Sequence, residues 1–253
     1  MTQMTALLAE KSAVITGGAT GIGRAIAAEF IAQGANVTIS HLDDESSRKA
    51  VKSLHEEIKD HEWCRTRLIG VAGDISQPET GKELIARAVQ QFGKVDIFVS
   101  NAGVCQFAEF LSLDQDLYSR TVRTNLDGAF YATQAAARQM ASQGTGGSII
   151  GISSISALVG GGLQTHYTPT KAGILSLMQS CAISLGRHQI RCNALLPGTI
   201  KTRLNAADLD DDDKRRDMET RIPLGRTGDP DDLAGPAVFL ASDLSRYVVS
   251  PSV

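Results

Sequence analysis

The sequence predicts a single α/β domain, residues 1–253, built on a doubly wound parallel sheet of six or seven strands. Short apolar runs typical of buried strands alternate with longer segments of helical periodicity, and this order places helices on both faces of a parallel sheet. Of the 253 residues, 42% are hydrophobic and 21% are charged. This is the composition of one globular domain with a large core.

Each strand of this sheet is predicted from one apolar run. In parallel α/β sheets ligands bind outside the carboxyl ends of the strands, so the residues after each run are the first candidates for a site. A separate stretch, Asp208–Asp217, is dense in charge, and we interpret it as a solvated, mobile segment. The strands are expected at Ser12–Ile15, Asn36–Ser40, Arg67–Val71, Ile97–Ser100, Ser148–Ile152 and Arg191–Leu196.

Composition and charge argue against several classes of partner. The net charge is −3 and the Lys and Arg residues are scattered, so we expect no nucleic-acid partner. No apolar run approaches the ~18 residues that span a bilayer, so we expect no membrane partner and a cytoplasmic protein. The five histidines are dispersed and the cysteines lack paired spacing, so neither a metal site nor a disulfide is expected. The cysteines are Cys64, Cys105, Cys181 and Cys192.

A glycine-rich turn joins the first strand to the first helix. Gly17, Gly21 and Gly23 follow Ser12–Ile15 and precede the helical pattern Arg24–Phe30. Glycine lets the backbone approach a pyrophosphate, and the free N–H groups of a helix start hold its charge. The spacing Gly-x-x-x-Gly-x-Gly departs from the usual dinucleotide fingerprint, and such clusters also occur in ordinary tight turns. Its place between a strand and a helix predicts a dinucleotide cofactor site.

Tyr167, Lys171 and Ser154 predict a proton-transfer site for alcohol oxidation. A phenol has a pKa near ~10 and is a poor base at neutral pH unless a fixed cation favours its ionised form. If both residues lie on one helix, a spacing of four residues places Lys171 beside Tyr167. The lysine ammonium should then lower the tyrosine pKa. Ser154 follows the strand Ser148–Ile152 and would reach the same cleft. A Tyr and a Lys at this spacing also occur on many surface helices, so the other motifs decide.

Together these motifs resemble the short-chain dehydrogenases/reductases in residue type, order and spacing. The resemblance extends from about Leu8 to Tyr247. It implies a Rossmann-type fold, an NAD(P)-dependent oxidoreductase and a homo-oligomer, either a dimer or a tetramer. The residues that carry it are Thr16-Gly17-x-x-x-Gly21-Ile22-Gly23, Asn101-Ala102-Gly103, Asn125, Ser154, Tyr167-x-x-x-Lys171 and Pro197-Gly198.

The resemblance also implies a role for each site residue. The catalytic set is Asn125, Ser154, Tyr167 and Lys171, in which Asn125 anchors a water that links Lys171 to solvent. Asp74 would meet the adenine ring, although a helix N-cap is an alternative role for this residue. The implied cofactor-binding residues are Gly17, Thr20, Gly21, Ile22, Gly23, His41, Asp43, Asp74, Asn101, Ala102, Gly103, Tyr167, Lys171, Ile200 and Thr202.

Cofactor choice depends on the residues after the second strand. Asp43 lies twenty residues after Gly23, where an acidic side chain binds the ribose of NAD. In the related family this acid usually comes directly after the strand, a position that is His41 here. Thr20 fills a turn position that is often basic in NADP-using relatives, and the nearest cation past the strand is Arg48. NAD is therefore favoured, and NADP is left open.

Segments around the catalytic residues indicate a sugar substrate. Within the family they closely resemble L-rhamnose 1-dehydrogenases, especially fungal ones, which implies oxidation of the anomeric hydroxyl of L-rhamnose to its lactone. The segments are Ser153–Gly161, Gln164–Lys171, His41-Leu42, Val104-Cys105 and Arg221–Arg226.

Polar side chains beside the tyrosine agree with a sugar. Hydroxyl, amide and imidazole groups suit a polyol, although turn and capping chemistry would use the same residue types. These side chains are Ser156, Gln164, Thr165 and His166. The expected substrate-binding residues are Ser154, Ser156, Gln164 and Tyr167.

Two alternatives remain open. One is a reductase of 3-oxoacyl thioesters, which would prefer NADPH. The other follows from the end of the chain, where the family continues past Tyr247 into a final strand ending in Asp-Gly-Gly, whereas this sequence stops at Val253. We therefore expect the last strand to be missing and one sheet edge to be unpaired. A chain altered in this way could be a catalytically impaired nucleotide-binding protein.

Overall fold

A computed structural model of the protein describes residues 6–59 and 67–250. Six parallel strands form one sheet in the order β3-β2-β1-β4-β5-β6. All six predicted strands are confirmed, each within one residue at either end, because their apolar runs are buried on both faces. The strands are β1 Ser12–Ile15, β2 Asn36–His41, β3 Leu68–Ala72, β4 Ile97–Ser100, β5 Gly147–Ile152 and β6 Ile190–Leu195.

Helices cover both faces of the sheet, as the doubly wound arrangement requires. One core cluster contains residues of α1, α2 and α10, and the other contains residues of α3, α5 and α7. The helices are α1 Gly21–Ala32, α2 Glu45–Ile58, α3 Pro78–Phe92, α4 Gln115–Val122, α5 Gly128–Gln143, α6 Ser156–Val159, α7 Thr168–Leu185, α8 Ala206–Leu209, α9 Asp212–Thr220 and α10 Ala234–Ala241.

Strand order reverses between β1 and β4. The chain runs outward from β1 through β2 to β3, then returns to β4 on the other side of β1 and continues to β6. The loops that leave β1 and β4 consequently diverge at their carboxyl ends, and this crevice is where open α/β sheets bind ligands. The glycine turn follows β1 and the Asn101-Ala102-Gly103 turn follows β4, so both predicted cofactor motifs border this crevice.

No described residue beyond β6 adds a seventh strand to the sheet. Val248–Ser250 instead lies beside β6, where the Ser250 N–H donates to Cys192 O at 3.1 Å. Asn193 fastens the same segment, because its Oδ1 accepts from Ser250 N at 3.0 Å and its Nδ2 donates to Val248 O at 2.9 Å.

The charged stretch predicted at Asp208–Asp217 is more regular than expected, and its residues from Asp210 onwards are mostly exposed. Most of it lies in α9, whose start is capped by the Asp211 carboxylate through the N–H groups of Asp213 and Lys214. Ion pairs three residues apart, such as Arg215 with Asp212, support the helix. The charge density of this stretch therefore reflects an exposed helix.

Among the described residues, no helix is both long enough and apolar enough to cross a membrane. Within the same residues, no group of three or more His, Cys, Asp or Glu side chains is placed to hold a metal ion. Cys105, Cys181 and Cys192 are free thiols, and Cys64 lies outside the described residues.

Candidate active site

The glycine turn after β1 needs glycine for both backbone conformation and space. Gly17 and Gly21 have φ values of 63° and 56°, which L side chains rarely adopt. A Cβ on Gly23 would lie 2.4 Å from Asn101 Nδ2 and 2.5 Å from Gly17 O. The turn therefore packs directly against the loop after β4.

Thr16 and Asn101 join these two loops through partly buried hydrogen bonds. Thr16 Oγ1 accepts from Asn101 N at 2.9 Å and from Ala102 N at 3.0 Å. In return, Asn101 Nδ2 donates to Thr16 O at 2.9 Å and to Gly17 O at 3.1 Å. We call Thr16–Gly23 with Asn101 and Ala102 the cradle.

The start of α1 fits the pyrophosphate of a dinucleotide. Thr20, the residue before α1, makes no side-chain cap, and the first turn holds no acidic residue. The N–H groups and positive end of a twelve-residue helix are thus left for an anion. Gly21 has only Thr202 near its Cβ position, at 3.5 Å, while Ile22 packs inward against the core.

Thr202 belongs to the loop after β6. Its N–H donates to Asn205 Oδ1 at 2.9 Å, and Ile200 forms a bridge with Gly228. These contacts hold Thr202 beside the glycine turn, on the side that leads towards β5 and β6.

His41, Asp43 and Asp74 lie at the β2 and β3 ends, away from the catalytic residues. His41 ends β2, and its ring approaches Gly70 of β3, where a Cβ would lie 3.2 Å from Nε2. Asp43 is exposed and forms an ion pair with Arg48. Asp74 Oδ1 accepts from Ser76 N at 2.9 Å. The alternative that Asp74 caps a helix is wrong, because α3 begins later and its N-cap is Gln77.

Asn125 lies in one turn of π-helix, Arg123–Asp127, between α4 and α5. The side chain is fully buried. Oδ1 accepts from Val104 N at 2.8 Å, and Nδ2 donates to Val104 O at 2.9 Å and to Thr170 Oγ1 at 3.2 Å. Thr170 Oγ1 donates in turn to Tyr167 O at 2.6 Å. Asn125 thus connects the loop after β4 to the start of α7.

Tyr167 and Lys171 meet at the start of α7. Tyr167 precedes the helix, its carbonyl accepts from Lys171 N at 3.2 Å, and Lys171 Nζ lies 5.5 Å from the centre of the phenol ring. Lys171 is buried, and Nζ donates to Ile152 O at the end of β5 at 2.9 Å. Gly103 adjoins the same group, since a Cβ there would lie 3.6 Å from Nζ.

Ser154 reaches Tyr167 from the end of β5, close enough for its hydroxyl to lower the pKa of the phenol. Ser154 Oγ also accepts from Ser156 N at 3.1 Å and from Ser156 Oγ at 2.9 Å. The structure therefore brings together all three residues predicted for proton transfer, from β5 and α7.

Burial dominates the acid-base properties of the pair. Desolvation raises the pKa of Tyr167 well above its ordinary value, the nearby Cys105 thiol raises it further, and the Ser154 hydrogen bond lowers it. Burial lowers the pKa of Lys171 to about 8. The expectation that Lys171 lowers the tyrosine pKa is thus not met here. The lysine is itself desolvated, and its ammonium donates to a backbone carbonyl.

The polar residues expected around Tyr167 divide into two groups. Ser156 and Gln164 reach the catalytic residues, Ser156 through Ser154 and Gln164 through a contact of 3.6 Å between its Nε2 and Cys105 Sγ. Thr165 Oγ1 and both His166 ring nitrogens are buried with no hydrogen-bond partner among the described residues. The expectation that His166 lines a polar cleft finds no support in this placement.

Sequence reasoning missed Thr170 and Cys105 as neighbours of the catalytic residues. Thr170 lies three residues after Tyr167, so helical spacing alone could have placed its hydroxyl near the Tyr167 carbonyl. Cys105 carries no comparable signal, because its position beside Tyr167 depends on how the loop after β4 folds.

Comparison with known proteins agrees with this site. Residues 17–252 match a family model described as enoyl-(acyl carrier protein) reductase. The chain is 61% identical over 245 residues to the L-rhamnose-1-dehydrogenase of Scheffersomyces stipitis, covering 97% of this chain and 94% of that protein. It is 55% identical over 247 residues to the L-rhamnose 1-dehydrogenase (NAD(P)(+)) of Azotobacter vinelandii, covering 98% and 95% of the two chains.

A solved structure, a short-chain type dehydrogenase/reductase from Mycobacterium marinum, superposes with a TM-score of 0.87 at 33% identity, covering 97% of this chain and 93% of that one. Fold, motif order and these similarities agree over nearly the whole chain. The chain therefore belongs to the short-chain dehydrogenase/reductase family.

Proposed function

We propose that this chain oxidises the anomeric hydroxyl of L-rhamnose to the lactone, with a nicotinamide cofactor as the hydride acceptor. The observation that carries the proposal is the 61% identity to a protein named L-rhamnose-1-dehydrogenase, which extends over 97% of the chain. The contacts among Ser154, Tyr167 and Lys171 support it, because they supply the acid-base groups that alcohol oxidation needs.

In this proposal Tyr167 is the general base. It takes the proton of the anomeric hydroxyl, while Ser154 donates a hydrogen bond to the same oxygen and stabilises its developing charge. When bound, the nicotinamide accepts the hydride from the anomeric carbon. Lys171, held by Ile152 O, lies next to the phenol and would supply a donor for the nicotinamide ribose. Asn125 keeps the loop after β4 and the start of α7 together.

The side chains beside Tyr167 suit a sugar. Gln164 donates to Cys105 Sγ through Nε2, which leaves its Oε1 to accept a hydrogen bond from a sugar hydroxyl. Glycine at 161 makes room for this amide, since a Cβ there would lie 2.5 Å from Gln164 Oε1. A polar wall of this kind discriminates against a substrate that lacks the matching hydroxyl, because the amide would then be left unpaired.

For the cofactor we propose NAD as the better substrate, with NADP also used. Asp43 would accept from the 2′-hydroxyl of the NAD ribose. Arg48, the ion-pair partner of Asp43 and the first cation in the sequence after β2, would attract a 2′-phosphate. The Azotobacter vinelandii relative carries both cofactors in its name, which supports dual use.

We also propose that the chain is a single catalytic domain that works as a cytoplasmic homo-oligomer. The exposed Phe130 of α5 and the exposed Ile183 of α7 support association between copies. Light scattering on the purified protein tests this proposal, and a monomer at working concentration would contradict it.

The deciding experiment follows NADH or NADPH formation by the purified protein at alkaline pH. L-Rhamnose, L-mannose, D-glucose and a no-sugar control are each assayed with NAD and with NADP. We expect the highest kcat/KM with L-rhamnose and NAD, and no turnover by the variants Tyr167→Phe and Ser154→Ala.

A second set of assays uses a 3-hydroxyacyl thioester. Turnover of the thioester with NADP, and none of L-rhamnose, would contradict the proposal in favour of an acyl-thioester reductase. Folded protein that binds nucleotide but turns over neither substrate would indicate an impaired enzyme.

A further inference from the structure

Ser156 contacts Ser154 through two donors. Its backbone N–H lies 3.1 Å from Ser154 Oγ, and its hydroxyl lies 2.9 Å from the same oxygen. Ser156 is the first residue of α6 and is buried, so water does not compete freely for these contacts. A serine hydroxyl has two acceptor positions and one proton. Ser156 therefore fills both acceptor positions of Ser154.

The single proton of the Ser154 hydroxyl then points away from Ser156 and towards Tyr167. The Ser154 hydroxyl is also near enough to Tyr167 to lower the pKa of the phenol. When Tyr167 is ionised, as a base must be, its oxygen can only accept, so between these two side chains Ser154 is the donor. The contacts then form an ordered chain, in which Ser156 donates to Ser154 and Ser154 directs its proton to Tyr167.

The backbone on both sides of Ser154 is fixed independently of Ser156. The Ser153 N–H donates to Leu195 O at 2.8 Å, and the Ile155 N–H donates to Pro197 O at 2.9 Å. Ser153 Oγ also donates to Lys171 O at 2.7 Å. These contacts hold the chain against the end of β6 and the first turn of α7, so the rotation of the Ser154 hydroxyl is what the Ser156 side chain controls.

We infer that Ser156 is a positioning residue for the dehydrogenase reaction: its two donors hold Ser154 in the orientation in which the single Ser154 proton points to Tyr167 in the free enzyme and to the reacting oxygen once the sugar is bound. The inference rests on the proposed function for the reaction that it describes. It differs from the sugar contact that the sequence predicts for Ser156, because the residue acts here through the two donors that it directs to Ser154.

The consequence for the base is a lower pKa than burial alone would allow. Desolvation raises the pKa of Tyr167, and the Ser154 hydrogen bond is the contact that lowers it. Two titratable side chains face Tyr167, Lys171 from α7 and Cys105 from the loop after β4. A variant that lacks the Ser156 hydroxyl leaves both in place, so a shift in the titration of the base is attributable to Ser154.

The test compares three variants. Ser156→Ala removes the side-chain donor, Ser156→Thr retains a hydroxyl, and Val159→Ala changes an exposed residue of the same helix. Each is assayed for kcat and KM with L-rhamnose across pH, and for thermal unfolding. The kcat of the original protein should rise with pH to a plateau as the base ionises. At pH values below this plateau, we expect the kcat of Ser156→Ala to be about three- to tenfold lower, because one hydrogen bond is lost, and we expect its pH profile to be shifted to higher pH.

The sugar KM of Ser156→Ala should remain nearly unchanged. Ser156→Thr should recover most of the activity, and Val159→Ala should match the original protein. A raised KM with an unmoved pH profile would assign Ser156 to sugar binding and overturn the inference. Lower thermal stability with unchanged kcat per folded enzyme would overturn it as well.

A titration keeps the inference testable if the proposed function fails. If the original protein oxidises no L-rhamnose, phenolate formation is followed by ultraviolet absorbance during an alkaline titration. Subtracting the titration curve of Tyr167→Phe from that of the original protein isolates the signal of Tyr167. The same difference is taken in the Ser156→Ala background. A later onset of the phenolate signal in that background supports the role of Ser156, and an identical onset overturns it.

Discussion

The cradle and the outer region of the site are held together by different interactions. In the cradle, Thr16 and Asn101 exchange hydrogen bonds with backbone groups that are partly shielded from water. The outer region, residues 201–232, contains α8 and α9 and carries exposed ion pairs, such as Arg226 with Asp232 and Arg221 with Asp217. Both regions border the same crevice, because Thr202 lies beside Gly21.

Because of this difference, we expect substitutions in the cradle to destabilise the fold more than substitutions in the outer region. A shielded donor that loses its partner has no water to replace it, so each lost bond in the cradle costs stability. Exposed ion pairs are replaced by hydration at little cost and are screened by salt. We therefore expect the cofactor side of the site to be strict and the outer region to vary without loss of the fold.

The largest expected effect comes from the catalytic tyrosine. Tyr167→Phe removes the general base, and we expect kcat to fall at least about a hundredfold, the range that proton-transfer groups contribute. NAD binding, measured by calorimetry, should stay close to that of the original protein because the cradle is untouched. Activity that persists in this variant would show that another group is the base.

A cradle glycine should come next in the size of its effect. Gly23→Ala places a methyl group 2.4 Å from Asn101 Nδ2 and 2.5 Å from Gly17 O, and we expect a loss of about 2 kcal/mol in the free energy of unfolding. Urea denaturation measures this loss. The matched control is Gly235→Ala in α10, where a Cβ meets nothing within 4 Å, and it should be neutral or stabilising. Equal effects in the two variants would contradict the packing argument.

Two threonines of the sheet region provide the next comparison. Thr16→Val removes the acceptor of two backbone N–H groups, and we expect a loss of about 2 kcal/mol in the free energy of unfolding. Thr38 is also buried, but its hydroxyl has no partner among the described residues. Thr38→Val should therefore raise stability by up to about 1 kcal/mol. Comparable losses in both variants would show that the hydrogen bonds of Thr16 are not what stabilises the cradle.

The smallest effect is expected in the outer region. Asp232→Asn breaks the contact with Arg226, and the melting temperature should change little and less still in high salt. Arg226 lowers the pKa of Asp232 through its hydrogen bond, so the carboxylate stabilises the fold above its unfolded-state pKa, and this contribution is lost as the pH falls. The difference between the two proteins should thus be present at neutral pH and vanish in acid. A large loss that is insensitive to salt would contradict the contrast between the two regions.

The strands and the proton-transfer residues could be predicted from the sequence because both leave local signals. Buried parallel strands appear as continuous apolar runs, and Tyr167 and Lys171 are related by helical spacing. The pKa of Tyr167 could not be predicted in the same way, because it depends on burial that the whole fold creates. The contact of Ser156 with Ser154 depends on the turn into α6, and the sequence shows only a second polar side chain nearby.

The turn of π-helix at Arg123–Asp127 also has no sequence signal, and it changes how the helices around it are related. A π-turn adds one residue to a helical turn, so the faces of α4 and α5 are out of phase by roughly 100°, the rotation of one residue in an α-helix. Deleting one residue here would restore a continuous α-helix and turn Asn125 away from Val104. The extra residue therefore lets α4 and α5 follow each other without a loop, and Asn125 lies at the point where their phase changes.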